Sequence, residues 1–203
     1  MTLLDLCSYL GLAAVGTATV NMALGLLIAL RYSPVRLWHH RRLNLFWMHR
    51  WTAYSVLLLI VLHPSVLLLL RNSTHFGVRD VLLPIWSPVQ PTINTLGAIS
   101  LYGLLIVIVT SLFRLRMARP LWKKLHLLVF PAFVFMFIHS VFSDPELSGN
   151  KVDMLDGGKL FIYICGLIAL LTSAVRLRMR RHGFRQEIHG VAEPQLSSQG
   201  TQE

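Results

Sequence analysis

Charge is scarce in this chain. Only 14% of its 203 residues are charged, against about 25% in an ordinary soluble domain. Acidic groups are scarcer still, nine Asp and Glu against nineteen Lys and Arg. So thin a polar complement excludes a soluble globular surface. Cysteine is nearly missing as well. Cys7 and Cys165 both lie in or beside apolar segments and form no metal or redox motif, which leaves packing as the expected role of each. The N-terminus lacks the basic region and small-residue cleavage site of a signal peptide, so the first apolar segment is expected to persist as a true span.

What is present is apolar and clustered. Hydrophobic residues make up 54% of the chain, in runs near or above the roughly 20 residues that carry a helix across a hydrocarbon core. The runs do not alternate apolar with polar, which excludes membrane strands. The expected fold is an all-α integral membrane bundle of about five helices, at residues 9–30, 45–70, 93–113, 121–142 and 160–175, the last of them short. The first is rich in Gly and Ala, which suits close helix contacts. The net charge of +10 would suggest nucleic acid in a soluble protein. Here the basic residues sit between spans and report topology, so no nucleic-acid partner is expected. Arginines crowd the first loop, Arg and Lys the third, and Arg the segment after residue 175, while the fourth loop is acidic overall. Positive residues mark the cytoplasmic side, so the N-terminus is expected outside and the C-terminus inside, a parity that five spans satisfy. Residues 1–176 form the expected membrane domain, and 177–203 a basic, then disordered, cytoplasmic tail.

Ionisable groups inside a membrane are costly and usually functional. Of nine histidines, His49 and His63 fall on the second span and His126 and His139 on the fourth. His39, His40, His75, His182 and His189 fall outside the spans and are expected to be solvated, with His75 kept open because it lies on the outer side. His49 and His63 are fourteen residues apart, about 21 Å of helix rise and within about 40° of the same face. His126 and His139 are thirteen apart, about 19.5 Å. One span intervenes, so the two histidine-bearing helices run in the same direction and like ends meet: His49 faces His126 near the inner side, and His63 faces His139 near the outer side. Two levels of facing imidazoles are what two bis-histidine hemes stacked between the second and fourth spans require. A like-level pair offers too few ligands for a closed zinc site. A thirteen-residue step lands about 140° off the starting face, so the fourth span must depart from an ideal helix. Pro131 is the expected cause, and Pro64 a second possible bend.

These residues resemble the transmembrane domain of the ferric reductase and NADPH oxidase superfamily. The resemblance rests on LFWMHRWTAYSVLLLIVLHP in the second span and LWKKLHLLVFPAFVFMFIH in the fourth, with their unequal fourteen and thirteen spacings, and extends over about residues 24–175. It implies two b-type hemes, His49 and His126 on the inner iron and His63 and His139 on the outer, in a multi-pass protein of the bacterial inner membrane. A related core occurs in the heme membrane subunit of the periplasmic methionine-sulfoxide reductase system. Full-length enzymes of the superfamily commonly have six spans and continue into FAD- and NADPH-binding domains. Here five spans are counted, and no Gly-rich dinucleotide fingerprint follows the last. No FAD or NADPH site is therefore expected in this chain, and electrons would come from a separate flavoprotein or from quinol.

Arg50, Lys123 and Lys124 on the inner side and Arg71 on the outer could neutralise heme propionates, or could serve topology and lipid headgroups alone. Trp47, Trp51 and Trp122 fit an aromatic belt or the inner heme, and Phe130, Phe133, Phe135 and Phe137 fit heme lining or lipid packing. The acidic fourth loop could attract metal ions or a basic partner. The segment VRDVLLPIWSPVQP could lie in the interface or cover the outer heme. The expected function is electron transfer across the membrane to an outer acceptor, a periplasmic reductase or a metal ion, as one subunit of an oxidoreductase. The competing reading is a non-redox transporter or assembly protein that uses the histidines for packing or proton relay.

Overall fold

The computed structural model describes residues 2–29, 44–69, 76–144 and 153–192, with side chains through residue 178. Every regular element in these segments is helical: α1 (Leu3–Ala29), α2 (Leu45–Leu69), the short α3 (Val78–Leu82), a 3-10 turn at Pro84–Trp86, α4 (Pro91–Leu112), α5 (Arg119–His126), α6 (Val129–Phe142) and α7 (Gly157–Ala192). Five stretches are long and apolar enough to cross a membrane, namely α1, α2, α4, α5 with α6, and the Gly157–Arg178 part of α7. The fold class expected from the sequence is therefore observed as a bundle of five candidate spans.

The bundle is apolar outside as well as inside. Leu58, Leu69, Leu167, Leu170 and Leu171 are all exposed. A soluble protein rarely shows such contiguous apolar area, whereas lipid tails accept it at no cost. Between helices that lipid solvates equally well, close packing of small residues drives association. Ala14 and Ala18 of α1, Ala132 of α6 and Ala169 of α7 are buried together with Val15, Val56, Ile60, Phe133 and Met136. Gly103 of α4 meets Ala132, where an added Cβ would stand 3.0 Å from the alanine methyl, and Gly166 of α7 leaves room for the Phe137 ring. α1 packs on α2 and α7, and α4 packs on α6, while α2 and α6 barely approach each other. The two histidine-bearing spans thus face one another across a gap, each held from behind by a neighbour.

The fifth span differs from expectation. It is not short: α7 begins at Gly157 and runs without a break past residue 176 to Ala192. By hydropathy Lys159 and the run from Arg176 read as loop and tail, because charge ends an apolar run. Charge does not end a helix, however, and Leu, Arg and Met are strong helix formers. Lys159 is 4% exposed, its ammonium donating to the carbonyls of Ser140 and Ser143, 2.9 Å each, at the end of α6. The irregularity expected near Pro131 falls one turn before it. Pro131 sits in the first turn of α6, where a missing N–H is cheap, and the break falls at Leu127–Leu128, between α5 and α6. Leu127, which would receive a bond from position 131 in a regular helix, instead accepts from Phe130 at 3.2 Å. α2 continues through Pro64 to Leu69.

Gly103→Leu should force α4 off α6 and cost about 1–3 kcal/mol, the usual range for overpacking. Thermal unfolding in detergent should show a clear fall in Tm for this variant. Leu170→Val on the lipid-facing surface should change it little.

Candidate electron-transfer site

The helices bring the four span histidines together as two pairs. His49 and His126 face each other with ring centroids 6.4 Å apart and planes at 68°. His63 and His139 do so at 6.2 Å and 77°. The first pair is called lower here and the second upper. Neither pair is close enough to bond directly, as histidines used for interhelical polar packing would be. Two imidazoles on opposite sides of one metal, each about 2 Å from it through nitrogen, place their centroids about 6.3 Å apart. Both separations match that value.

The hydrogen bonds explain how the rings are aimed. The Nδ1 of His63 donates to the Cys7 carbonyl at 2.8 Å, that of His49 to the Asn21 carbonyl at 3.1 Å and that of His139 to the Ile93 carbonyl at 2.8 Å. A carbonyl can only accept, so Nδ1 carries the proton in all three rings. The His126 Nδ1 lies 3.3 Å from the Ser111 hydroxyl. That hydroxyl spends its one proton on the Val107 carbonyl at 2.7 Å, so it too accepts from the imidazole. Every hydrogen bond these rings make among the described residues goes through Nδ1. Each Nε2 lone pair is left pointing at the space between the helices, the tautomer a metal ligand needs.

The acceptors obey a rule. In a helix the carbonyl of residue i points toward residue i+4, whose Cβ screens it. At the three carbonyl contacts the i+4 residue is glycine: Gly11 after Cys7, Gly25 after Asn21, Gly97 after Ile93. An added Cβ would stand 3.1, 3.3 and 3.0 Å from the His63, His49 and His139 rings. At the fourth place the pair is Val107 and Ser111, with the serine hydroxyl inserted between carbonyl and ring. Both pairs on α1 are fourteen residues apart, and so are both pairs on α4. Sequence reasoning missed these residues. Their signal was a small residue repeated at the histidine interval on the neighbouring spans.

Around the upper pair lies a cavity of about 670 Å³, lined by His63, His139, Gly11, Gly97, Pro64 and Met136, with Lys159, Gln90 and Asn94 among its polar groups. Val81 and Pro84 of the segment after residue 77 also line it, so part of that segment covers the upper level. Cys7 touches the same ring, its Sγ 3.5 Å from His63 Nδ1, while Cys165 lies in the core. Beside the lower pair, Trp122 stacks on His126 at 5.3 Å and 29°, and its indole N–H is buried without an acceptor among the described residues. Arg176 lies over Phe130, 5.5 Å from the ring centre, and acts electrostatically on His126. One α7 cation therefore lies near each level, Lys159 above and Arg176 below, neither foreseen as a site residue. Arg50, Lys123 and Lys124 are exposed, as are Trp47 and Trp51. Of the foreseen phenylalanines, Phe133 is buried in the core and Phe137 packs against it. Arg71, His39, His40, His75 and, in the acidic fourth loop, Glu146 lie outside the described residues, while His182 and His189 fall on α7 beyond its described side chains.

The donor set fits heme better than a bare ion. Among the described residues no group of three or more His, Cys, Asp or Glu side chains could hold a metal, so a six-coordinate centre here would need four further ligands from a macrocycle. The gap between α2 and α6, the cavity and the orphaned indole N–H are consistent with a large group bearing anionic substituents.

No curated protein and no solved structure matches the chain. The family described as ferric reductase like transmembrane component matches residues 15–137, which takes in three of the four paired histidines and stops two residues short of His139. With more than half of its length matched, the chain belongs to the ferric reductase like transmembrane family.

Proposed function

We propose that the chain is a di-heme b-type cytochrome that moves electrons across a bacterial inner membrane, from a cytoplasmic flavoprotein or quinol to an outer acceptor such as a periplasmic reductase or a metal ion. The observation that carries this reading is the pair of facing imidazole couples, each with Nδ1 tied back and Nε2 presented at the spacing of a shared metal. When bound, each heme would supply a one-electron couple. The chain's own residues do the rest. His49 with His126 and His63 with His139 would hold the irons. Cys7, Asn21, Ile93 and Ser111 fix the ring orientations and raise ligand basicity. Val56, Ile60, Phe133 and Met136, buried between the two levels, keep the intervening space dry. Lys159 would meet carboxylates of the upper heme, and Arg176 with the Trp122 N–H those of the lower. The exposed Arg50, Lys123 and Lys124 would act further out, on lipid headgroups or a partner. The positive-inside pattern puts the lower pair on the cytoplasmic side. The reading of the histidines as polar packing or a proton relay is disfavoured by the same geometry, because facing rings that served each other would be hydrogen-bonded.

Protein purified from heme-replete cells should carry close to two b-type hemes per chain, by pyridine hemochrome and reduced-minus-oxidised spectra. A colourless preparation defeats the reading. His63→Ala and Gly97→Val should each remove the upper heme and leave about one per chain, the valine because it drives the His139 ring out of line. Gly25→Val should remove the lower heme instead. Loss of both hemes together in every variant would contradict the two-level assignment.

Lys159→Met should speed transfer of one of the two hemes to apomyoglobin several-fold, while Lys159→Arg should restrain it. The measurement is heme loss against time in detergent, with the lower heme as internal reference.

A further inference from the structure

Three of the four paired imidazoles donate to a helix carbonyl, at 2.8 to 3.1 Å. The fourth donates to a hydroxyl at 3.3 Å. The difference is built into the sequence, because Ser111 stands where the repeat on α1 and α4 otherwise has glycine. Its side chain fills the place left open by Gly11, Gly25 and Gly97, and it covers the Val107 carbonyl by donating to it. His126 is thereby denied the amide oxygen its three counterparts use. A hydroxyl oxygen is a weaker and here more distant acceptor than a peptide carbonyl, so the His126 ring keeps more of its Nδ1–H character and donates less electron density through Nε2.

We infer that Ser111 is a positioning residue that makes the two levels chemically unequal, by holding His126 as the least basic of the four ligands. The inference rests on the two-heme reading above. It concerns one part-buried hydrogen bond and requires no movement of the helices. Less electron donation to iron favours the reduced state, so this hydroxyl raises the reduction potential of the lower level relative to what a direct carbonyl contact would set. The outer level keeps two carbonyl-bound rings.

Two substitutions at one position should act in opposite directions. Ser111→Ala removes the acceptor and leaves the Nδ1–H of His126 without a partner, so the lower heme's midpoint potential should rise. Ser111→Gly uncovers the Val107 carbonyl and recreates the arrangement at Gly97, so the potential should fall below wild type. The upper heme should hold its wild-type value in both. The experiment is a potentiometric titration of purified full-length protein followed by absorbance, with the two hemes told apart by the His63→Ala background. Shifts of the same sign in both variants, no shift in either, or an equal shift of the upper heme would each overturn the inference. Those results would leave the two-heme reading standing, because they presuppose two titrating hemes. Absence of heme from wild-type protein would remove both.

Discussion

An imidazole N–H inside a lipid bilayer must find an acceptor, and the neighbouring backbone has nearly all of its own already engaged. A helix carbonyl keeps a second lone pair, but the Cβ of the residue one turn on stands in front of it. Glycine at that place makes the lone pair reachable. Most of this molecule's arrangement follows from that constraint. Gly11, Gly25 and Gly97 open the carbonyls of Cys7, Asn21 and Ile93, and those carbonyls hold three rings in one tautomer and one direction. Three of the histidines are therefore positioned by the backbones of α1 and α4, and His126 by the Ser111 hydroxyl of α4.

This divides the bundle into two kinds of helix. α1 and α4 are backing helices, lying close against α2 and α6 because glycine and alanine face the contact. α2 and the span made of α5 and α6 carry the histidines and stay apart. In a bundle held together by close packing rather than by exclusion of water, a gap between two spans has to be offset by tight contacts elsewhere. The contacts of Gly103 with Ala132 and of Gly166 with Phe137 supply some of them. α7 closes the far side and brings a cation to each level, at the two points where its charged residues can sit near the ends of the apolar layer.

The spans and the histidine pairing were legible because both depend on periodicity and on the cost of burying a polar group, which a sequence displays directly. The acceptors were not legible in the same way. A backbone carbonyl has no letter, and Cys7, Asn21 and Ile93 share no side-chain chemistry. Only the glycines four residues later betray them, and glycine in a membrane helix has an ordinary explanation in packing. Lys159 and Arg176 were passed over for a different reason. An apolar window stops at the first charge, whereas the helix continues and the long side chain turns toward a partner. The 670 Å³ cavity was beyond reach for a third reason, since it depends on how far apart two helices stand.

The unequal histidine spacings resolve into a single geometric requirement. The carbonyl pairs on α1, those on α4 and the histidines on α2 all repeat at fourteen residues, about 21 Å in a regular helix. The fourth span must connect the same two levels with thirteen. Residues in 3-10 geometry rise about 2.0 Å each instead of about 1.5 Å. The junction of α5 and α6 contains three i-to-i−3 bonds, from Leu127 to Lys124 (shared with Lys123), from Leu128 to Leu125 and from Phe130 to Leu127. Three residues so stretched add about 1.5 Å, the rise of the missing residue. They also overwind the helix by about 60° in total, which removes a little under half of the roughly 140° by which a straight thirteen-residue step would misdirect His139. Leu127 can take part because Pro131, four residues later, offers it no N–H. The proline thus acts one turn before its own position, by releasing the carbonyl around which the helix tightens, and the thirteen-residue interval on this span and the fourteen-residue interval on its neighbours describe the same distance.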